Sequence, residues 1–335
     1  MQSTCATLFE PLFTGGISLE NAKLLFLNAL PFEGVAPFTA EQVVCQQHFK
    51  GEADALTRIG FMVFPEIQSG KNVDMVLHNF PKAMDEARYQ IAQGLSVLKL
   101  GGMFIAAAYN DAGSRRIEGV FAEFGLQIIS VHTKHKGRCV AGVYSADSPA
   151  IAKALVAYGP QPILGGRYMS QPGIFGWQGT DLGSALLLEA CQGHVKGHVA
   201  DFGCGYGFLS DGLARCKGVT ALTCYEADYR ALQAARMNLR ESVVFVWSDL
   251  TDVSQKLGPF DVVVMNPPFH SGKSRDIQLG LEFIEVAARS LQPGGVLWMV
   301  ANVSLPYEET LSRSFFKHQR VIVRDGFKVI RAQKA

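Results

Sequence analysis

The chain of 335 residues reads as an α/β protein of two tandem, doubly wound domains, each a seven-stranded mixed sheet flanked by helices. Three observations predict this. Apolar runs of strand length alternate with helix-length segments from end to end, the pattern of buried parallel strands joined by crossover helices. The chain closes on "RVIVRDGFKVIRA", where Asp325-Gly326 between two alternating runs is a hairpin signal that adds a reversed edge. The two halves also present the same signals in the same order.

The later half is the clearer. Its strands are expected at "HVADF" (198–202), "VTALTCY" (219–225), "VVFVW" (243–247), "DVVVM" (261–265) and "GVLWMVA" (295–301). Segments such as "DYRALQAARMNL" and "IQLGLEFIEVAARSL" supply helices between them. In the first half "KLLFLNALP" (23–31) stands where "HVADFGCG" stands, and "QVVCQQHFKGEADAL" (42–56) matches "LTCYEADYRAL". "FMVFPE" (61–66) matches "VFVWSD", "DMVLHNFPK" (74–82) parallels "DVVVMNPPF" (261–269), and "LKLGGMFIAAAYND" (98–111) parallels "LQPGGVLWMVANV" (291–303). "TKHKGRCVAGVYS" (133–145) is the expected closing strand pair. Any two α/β halves share strand–helix alternation. The shared order of Asn-x-Pro and Leu-x-x-Gly-Gly signals favours duplication. The Gly- and Pro-rich stretch at 156–173 is the expected linker. The domains are therefore placed at 1–157 and 158–335.

Composition narrows the function. Lys+Arg 31 against Asp+Glu 30 leaves a formal charge of +1, so nucleic-acid binding must come from local patches. No apolar run reaches the roughly 18–20 residues of a membrane span, and "MQSTCATLFEPLF" lacks the features of a signal peptide. The 7 cysteines form no C-x-x-C pair and have no zinc-like spacing. They read as reduced thiols of a cytoplasmic protein without a metal site.

"VADFGCGYG" (199–207) sets Asp201, Gly203, Gly205 and Gly207 between a strand and the helix "FLSDGLARC". Glycines allow a sharp turn and close approach of a ligand to the backbone. A dinucleotide fingerprint fails in either register, because positions 208 and 210 are Phe and Ser. A carboxylate at Asp201 repels a pyrophosphate and suits a cationic amine, such as the methionine moiety of S-adenosylmethionine. Glu226 ends the next strand, where an acid can accept hydrogen bonds from ribose hydroxyls. Asp249, in "VWSDL", follows the third strand and can accept from an adenine amine. Either acid alone reads as a solvated loop residue. Three acids at successive strand ends beside D-x-G-x-G-x-G favour an adenosine cofactor.

The fourth strand stops on Asn266-Pro267-Pro268-Phe269. Ligands of open α/β sheets bind at the carboxyl ends of the strands. Proline has no N–H, so the Pro267 carbonyl can face a ligand rather than a ladder. With the Asn266 side-chain carbonyl it offers two acceptors for an –NH₂ group, orienting the nitrogen lone pair for in-line displacement. Phe269 can stack a planar base. Alone, this is an Asn-Pro turn; with the glycine loop it specifies an amino-methyltransferase. His270 follows directly, and a lone His there is more often a loop hydrogen-bonder than a catalytic acid or base.

"PGIFGWQGTDLGSALLLE" (172–189), "DFGCGYGFLS", "NPPFHSG", "ANVSLPYEETL" (301–311) and "GFKVIRA" together resemble the bacterial ribosomal RNA guanine-N2 methyltransferases, most nearly the small-subunit methyltransferase C family. The likeness covers the whole later half and, more faintly, the first. N-P-P-F-H with a later A-N-x-x-L-P-Y is its most specific part. It implies two tandem Rossmann-like methyltransferase domains, the N-terminal one degenerate and serving to bind or orient RNA. The later domain would bind S-adenosylmethionine through Asp201, Gly203, Cys204, Gly205, Gly207, Glu226, Asp249 and Asn266. Catalysis would rest on Asn266 to Phe269, and substrate contact on Phe269, His270 and Phe175. Phe175 and Asp181 would cover the cofactor, although "SALLLE" is equally a plain helix start. Glu226 stands where the family pattern leads one to expect Asp.

The expected activity is methylation of a guanine N2 amine in small-subunit (16S) ribosomal RNA by a cytoplasmic monomer, with rRNA or the small subunit as partner. Alternatives are a large-subunit guanine, a protein glutamine-N5 amide, or an inactive RNA-binding scaffold. The last predicts a lost glycine loop in both halves, and only the first half has lost it. Basic clusters at 132–138, 114–116 and along the tail (Arg313, Lys317, Arg320, Arg324, Lys328, Arg331) are candidates for RNA contact.

Overall fold

A computed structural model describes residues 4–14, 17, 19–33, 36–68, 72–268 and 274–335, without the side chains of 274–276. Packing divides the chain into two units, Met1–Gln161 with Gln171–Gly173, and Pro162–Ser170 with Ile174–Ala335.

The first unit contains α1 (Cys5–Thr14), β1 (Leu24–Leu27), β2 (Val43–Gln46), α2 (Lys50–Arg58), β3 (Met62–Phe64), β4 (Val73–Asn79) and α3 (Met84–Val97). It continues with β5 (Leu98–Tyr109), α4 (Ile117–Glu123), β6 (Gln127–Lys134), β7 (Gly137–Val143) and α5 (Pro149–Tyr158). A short hairpin follows, β8 (Gln161–Ile163) and β9 (Tyr168–Ser170), inside the stretch expected as linker. The second unit then runs α6 (Leu182–Cys191), β10 (Gly197–Phe202), α7 (Phe208–Ala214), β11 (Val219–Glu226), α8 (Tyr229–Asn238), β12 (Val244–Trp247) and β13 (Phe260–Met265). It ends with α9 (Ser274–Ser290), β14 (Leu291–Asn302), α10 (Glu308–Ser314), β15 (Lys317–Arg324) and β16 (Phe327–Gln333).

The two seven-stranded mixed sheets share one topology, β3-β2-β1-β4-β5-β7-β6 and β12-β11-β10-β13-β14-β16-β15. In each, five strands are parallel and a terminal hairpin pairs antiparallel with the fifth. The likeness reaches single residues: β5 and β14 are both 12 residues long and alternate between burial and exposure in the same pattern. The closing turn of the second sheet holds Asp325 and Gly326 at φ +53° and +79°, the doubly left-handed geometry a two-residue hairpin turn requires.

Apolar residues occupy both faces of each sheet because helices cover both. Along β1, Leu25 and Leu27 pack in one core while Leu24 and Phe26 pack in the other. Ala200 and Phe202 of β10 likewise face away from Val199. Each fully buried Leu, Val or Phe among them contributes about 1.5–3 kcal/mol. The core therefore fixes the strand ends from which the candidate site is built. Among the described residues no helix is long and apolar enough to cross a membrane.

Candidate functional site

The chain leaves β10 through Gly203, Gly205 and Gly207 at φ +76°, +56° and +94°. Two of these do distinct work. A Cβ on Gly205 would meet nothing within 4 Å, so this left-handed backbone faces open space. A Cβ on Gly207 would lie 3.3 Å from the Ala235 backbone, so here glycine lets the loop pack on α8. Glu226 braces the loop from the end of β11. Its Oε2 accepts the Gly205 N–H at 2.8 Å, and its Oε1 accepts those of Ala227 and Asp228 at 2.8 and 2.9 Å. Burial pushes the carboxyl up to about 7 against the opposing effect of those donors. A carboxylate can accept about four hydrogen bonds, so capacity remains for a ligand hydroxyl.

Asp201 is the penultimate residue of β10, just before the glycine loop. It is fully buried, its Oδ2 accepts from the Ser210 hydroxyl, and its Oδ1 has no partner among the described residues. Burial pushes its carboxyl up to about 7, opposed by the Ser210 bond and reinforced by Glu226.

Asn266 follows β13 directly. Its amide nitrogen donates to Asp181 Oδ2 and to Ser184 Oγ, both at 2.8 Å. Its Oδ1 is buried and has no partner among the described residues. Pro267 is buried and Pro268 exposed. Asp181 is also the N-cap of α6, accepting the Ser184 N–H at 2.8 Å.

A cleft joins these parts; Phe175, Asp181, Ser184, the loop 203–206 and Asn266 are among its lining residues. Of the residues expected from sequence, it brings together Phe175, Asp181, Gly203, Cys204, Gly205 and Asn266. Asp201, Glu226 and Gly207 are not among its lining residues; Glu226 bonds the loop at the Gly205 N–H, Gly207 packs it on α8, and Asp201 bonds Ser210 of α7. Asp249 is engaged locally, its Oδ1 accepting from the backbone and hydroxyl of Thr251 at 3.0 and 2.7 Å. Phe269 and His270 lie outside the described residues. Sequence reasoning did not single out Ser184 or Tyr206. Tyr206 donates its hydroxyl to the Gly179 carbonyl at 3.1 Å, clipping the loop to the segment before α6. The signal for Ser184 was the capping spacing in "TDLGS", read only as a helix start.

The first unit has a counterpart to each part, and each is altered. Asn28 follows β1 as Gly203 follows β10, and it keeps a left-handed φ of +48°. Gln47, one residue beyond β2, stands where Glu226 stands and has lost the charge; its Oε1 accepts the Phe49 N–H at 2.8 Å. Asn79 ends β4 where Asn266 follows β13. Its Oδ1 is taken by the Thr4 hydroxyl at 2.7 Å, and its nitrogen donates to the Asn28 carbonyl at 3.1 Å.

Residues 165–331 match the family model of the methyltransferase small domain. The chain is 31% identical over 279 residues to ribosomal RNA small subunit methyltransferase C of Erwinia tasmaniensis, covering 82% of this chain and 79% of that protein. It is 32% identical over 263 residues to the protein of the same name from Shigella flexneri, covering 77% and 75%. In fold it is similar to the 16S rRNA N2 methyltransferase of T. thermophilus solved with AdoMet and guanosine. The TM-score is 0.78 at 23% identity, over 98% of this chain and 92% of that one.

Proposed function

The chain belongs to the ribosomal RNA small subunit methyltransferase C family, and from that premise we propose its reaction. A methyl group passes from S-adenosylmethionine to the exocyclic N2 amine of one guanine in 16S rRNA. The protein acts as a cytoplasmic monomer on rRNA or the small subunit. Residues 158–335 form the catalytic domain, and 1–157 form a degenerate copy that binds or orients RNA.

Asn266 carries this reading. Both directions of its amide nitrogen are used by Asp181 and Ser184, so its carbonyl oxygen is the group left for a ligand. A carbonyl accepts from an amine and has nothing to donate to a keto oxygen. Held by Asn266 Oδ1 and the Pro267 carbonyl, the two amine hydrogens leave the nitrogen lone pair pointing away from both acceptors. Phe269, His270 and Phe175 hold the base. The bare backbone of Gly205 and the remaining capacity of Glu226 fit an adenosine cofactor, with Gly203, Cys204 and Gly207 shaping the loop and Asp201 as the acid for the cofactor's amine, its Oδ1 without a partner among the described residues. Asp249, two residues beyond β12, is the acid for the adenine amine, with Oδ2 beside the Oδ1 that Thr251 uses. When bound, S-adenosylmethionine supplies an electrophilic methyl on a sulfonium. The new N–C bond replaces the C–S bond, and the amine proton leaves to water once nitrogen is cationic.

The test uses the purified full chain, S-adenosylmethionine, 30S subunits, naked 16S and 23S rRNA, and nucleoside mass spectrometry. N2-methylguanosine is expected in small-subunit RNA alone. Asn266→Ala should lower the rate by about 100-fold or more while cofactor binding by calorimetry persists. Methylation confined to 23S rRNA or to a protein glutamine would overturn the substrate. Near-full activity of Asn266→Ala would overturn the amine clamp.

A further inference from the structure

We infer that Asp181 is a positioning residue for methyl transfer: it sets which way the Asn266 amide faces, and Ser184 completes the lock. The inference rests on the proposed role of Asn266 and deepens it. An asparagine amide is nearly symmetric in shape, so packing alone does not choose between its oxygen and its nitrogen. A carboxylate is an acceptor only, and Asp181 already accepts the Ser184 N–H. Its Oδ2 lies 2.8 Å from Asn266 Nδ2, so a flipped amide would set oxygen against oxygen. The Ser184 hydroxyl is the second acceptor, also at 2.8 Å. With both N–H groups bonded, the carbonyl oxygen is the group left over, buried and without a partner among the described residues.

The lock is itself fixed. The same Asp181 oxygen accepts the Ser184 backbone N–H, which ties it to the first turn of α6, a helix of 10 residues. Gly183, between the two, is buried. A Cβ there would stand 3.0 Å from Asp181 Oδ2 and 3.2 Å from the Phe327 ring, so the backbone is kept bare where the carboxylate sits. On the other side the Tyr206 hydroxyl holds the Gly179 carbonyl, fixing the chain two residues before Asp181. Helix cap, glycine loop and amine clamp therefore meet at one carboxylate, although Asp181 and Asn266 are 85 residues apart.

Asp181→Ser separates the two roles of this side chain. Serine caps a helix about as well as aspartate, but its shorter side chain withdraws the acceptor from Asn266. The expected result is a fall in kcat of about 10- to 100-fold, the scale of a small misplacement of a reacting group. The S-adenosylmethionine Kd should stay within about threefold and the melting temperature should be nearly unchanged. Asp181→Asn presents a carbonyl in the same place and should recover most of the rate. Wild-type kcat in Asp181→Ser overturns the inference, as does a loss of cofactor affinity equal to the loss of kcat. Should Asp181→Ser fail to fold, Ser184→Ala decides in its place, because the backbone cap remains. A kcat loss of about threefold or more then supports the lock, and an unchanged kcat overturns it. An inactive Asn266→Ala beside a normal Asp181→Ser would remove the lock and leave the clamp standing. An active Asn266→Ala would remove both.

Discussion

Asp201 stands at the end of β10, a place from which a carboxylate suits a cationic ligand, and its own carboxyl is fully buried, with Oδ2 accepting from the Ser210 hydroxyl. That depth is not encoded in the order of residues. It depends on α7 bringing Ser210 back to the end of the strand. The burial has a thermodynamic consequence. The carboxyl is raised from 3.8 to about 7, so between those values the folded chain holds a proton that the unfolded chain has lost. Stability from this group is thus fully present below pH 3.8, declines as pH rises through the window, and levels off above about 7. Asp201→Asn cannot titrate. Its melting temperature relative to wild type should climb between pH 5 and 7, at a slope of at most about 1.4 kcal/mol per pH unit, or roughly 3–6 °C. The slope is the readout, since the buried amide adds a constant offset. Thermal melts of the ligand-free protein that ran parallel across this range would show that Asp201 titrates normally.

At the scale of elements, the hairpin of β8 and β9 is the part least visible from sequence. "PILGGRYMS" carries glycines and a proline, and composition alone reads it as linker. Its partners are distant. Asn238, the last residue of α8, accepts the Met169 N–H at 2.7 Å and donates to the carbonyls of Met169 at 2.9 Å and Tyr206 at 2.8 Å. Tyr168 donates to Asp211 at 2.7 Å. One amide thus binds hairpin, helix and glycine loop together. Asn238→Ala would leave three backbone groups to find water, at a total cost of about 2–3 kcal/mol. Trypsin should then cut after Arg167, whose side chain is 59% exposed, several-fold faster, and the S-adenosylmethionine Kd should rise as Tyr206 loosens. Unchanged cleavage at Arg167 would mean that Tyr168 and Asp211 suffice to hold the hairpin. The main strands were legible because their signals are local: five apolar runs, an Asp-Gly turn, an Asn-Pro stop. The hairpin and the Asp181 lock were not, because each depends on hydrogen bonds between residues far apart in the chain, 43 and 69 for the hairpin and 85 for Asp181 with Asn266.

For the whole molecule, duplication followed by filling of one copy explains why a chain with two equivalent sheets has one glycine loop. The repeat was legible in the order of strand signals, and the absence of glycines in "LNALPFEG" marked the first copy as altered. What replaced its site was not legible, since Thr4 reaches Asn79 from 75 residues away. The replacement is thorough at three points. Gln47 in place of Glu226 removes the carboxylate, and the Asn79 carbonyl that would face a ligand is already bonded to Thr4. The Asn79 nitrogen is held by Asn28, whose side chain stands where Gly203 leaves the backbone bare. A ligand there would have to displace Thr4 and regain those hydrogen bonds without a carboxylate to assist it. Calorimetric titration of the full chain with S-adenosylmethionine should therefore give one site per chain. Glu226→Gln, which gives the second unit the amide of the first, should weaken that site by about 10-fold or more without revealing a second. Thr4→Ala should not create binding either, because the carboxylate and the glycine series remain absent. A stoichiometry of two, or a residual site that survives Glu226→Gln and disappears with an Asn79 variant, would show that the first copy still binds cofactor and that its Thr4–Asn79 bond opens on demand.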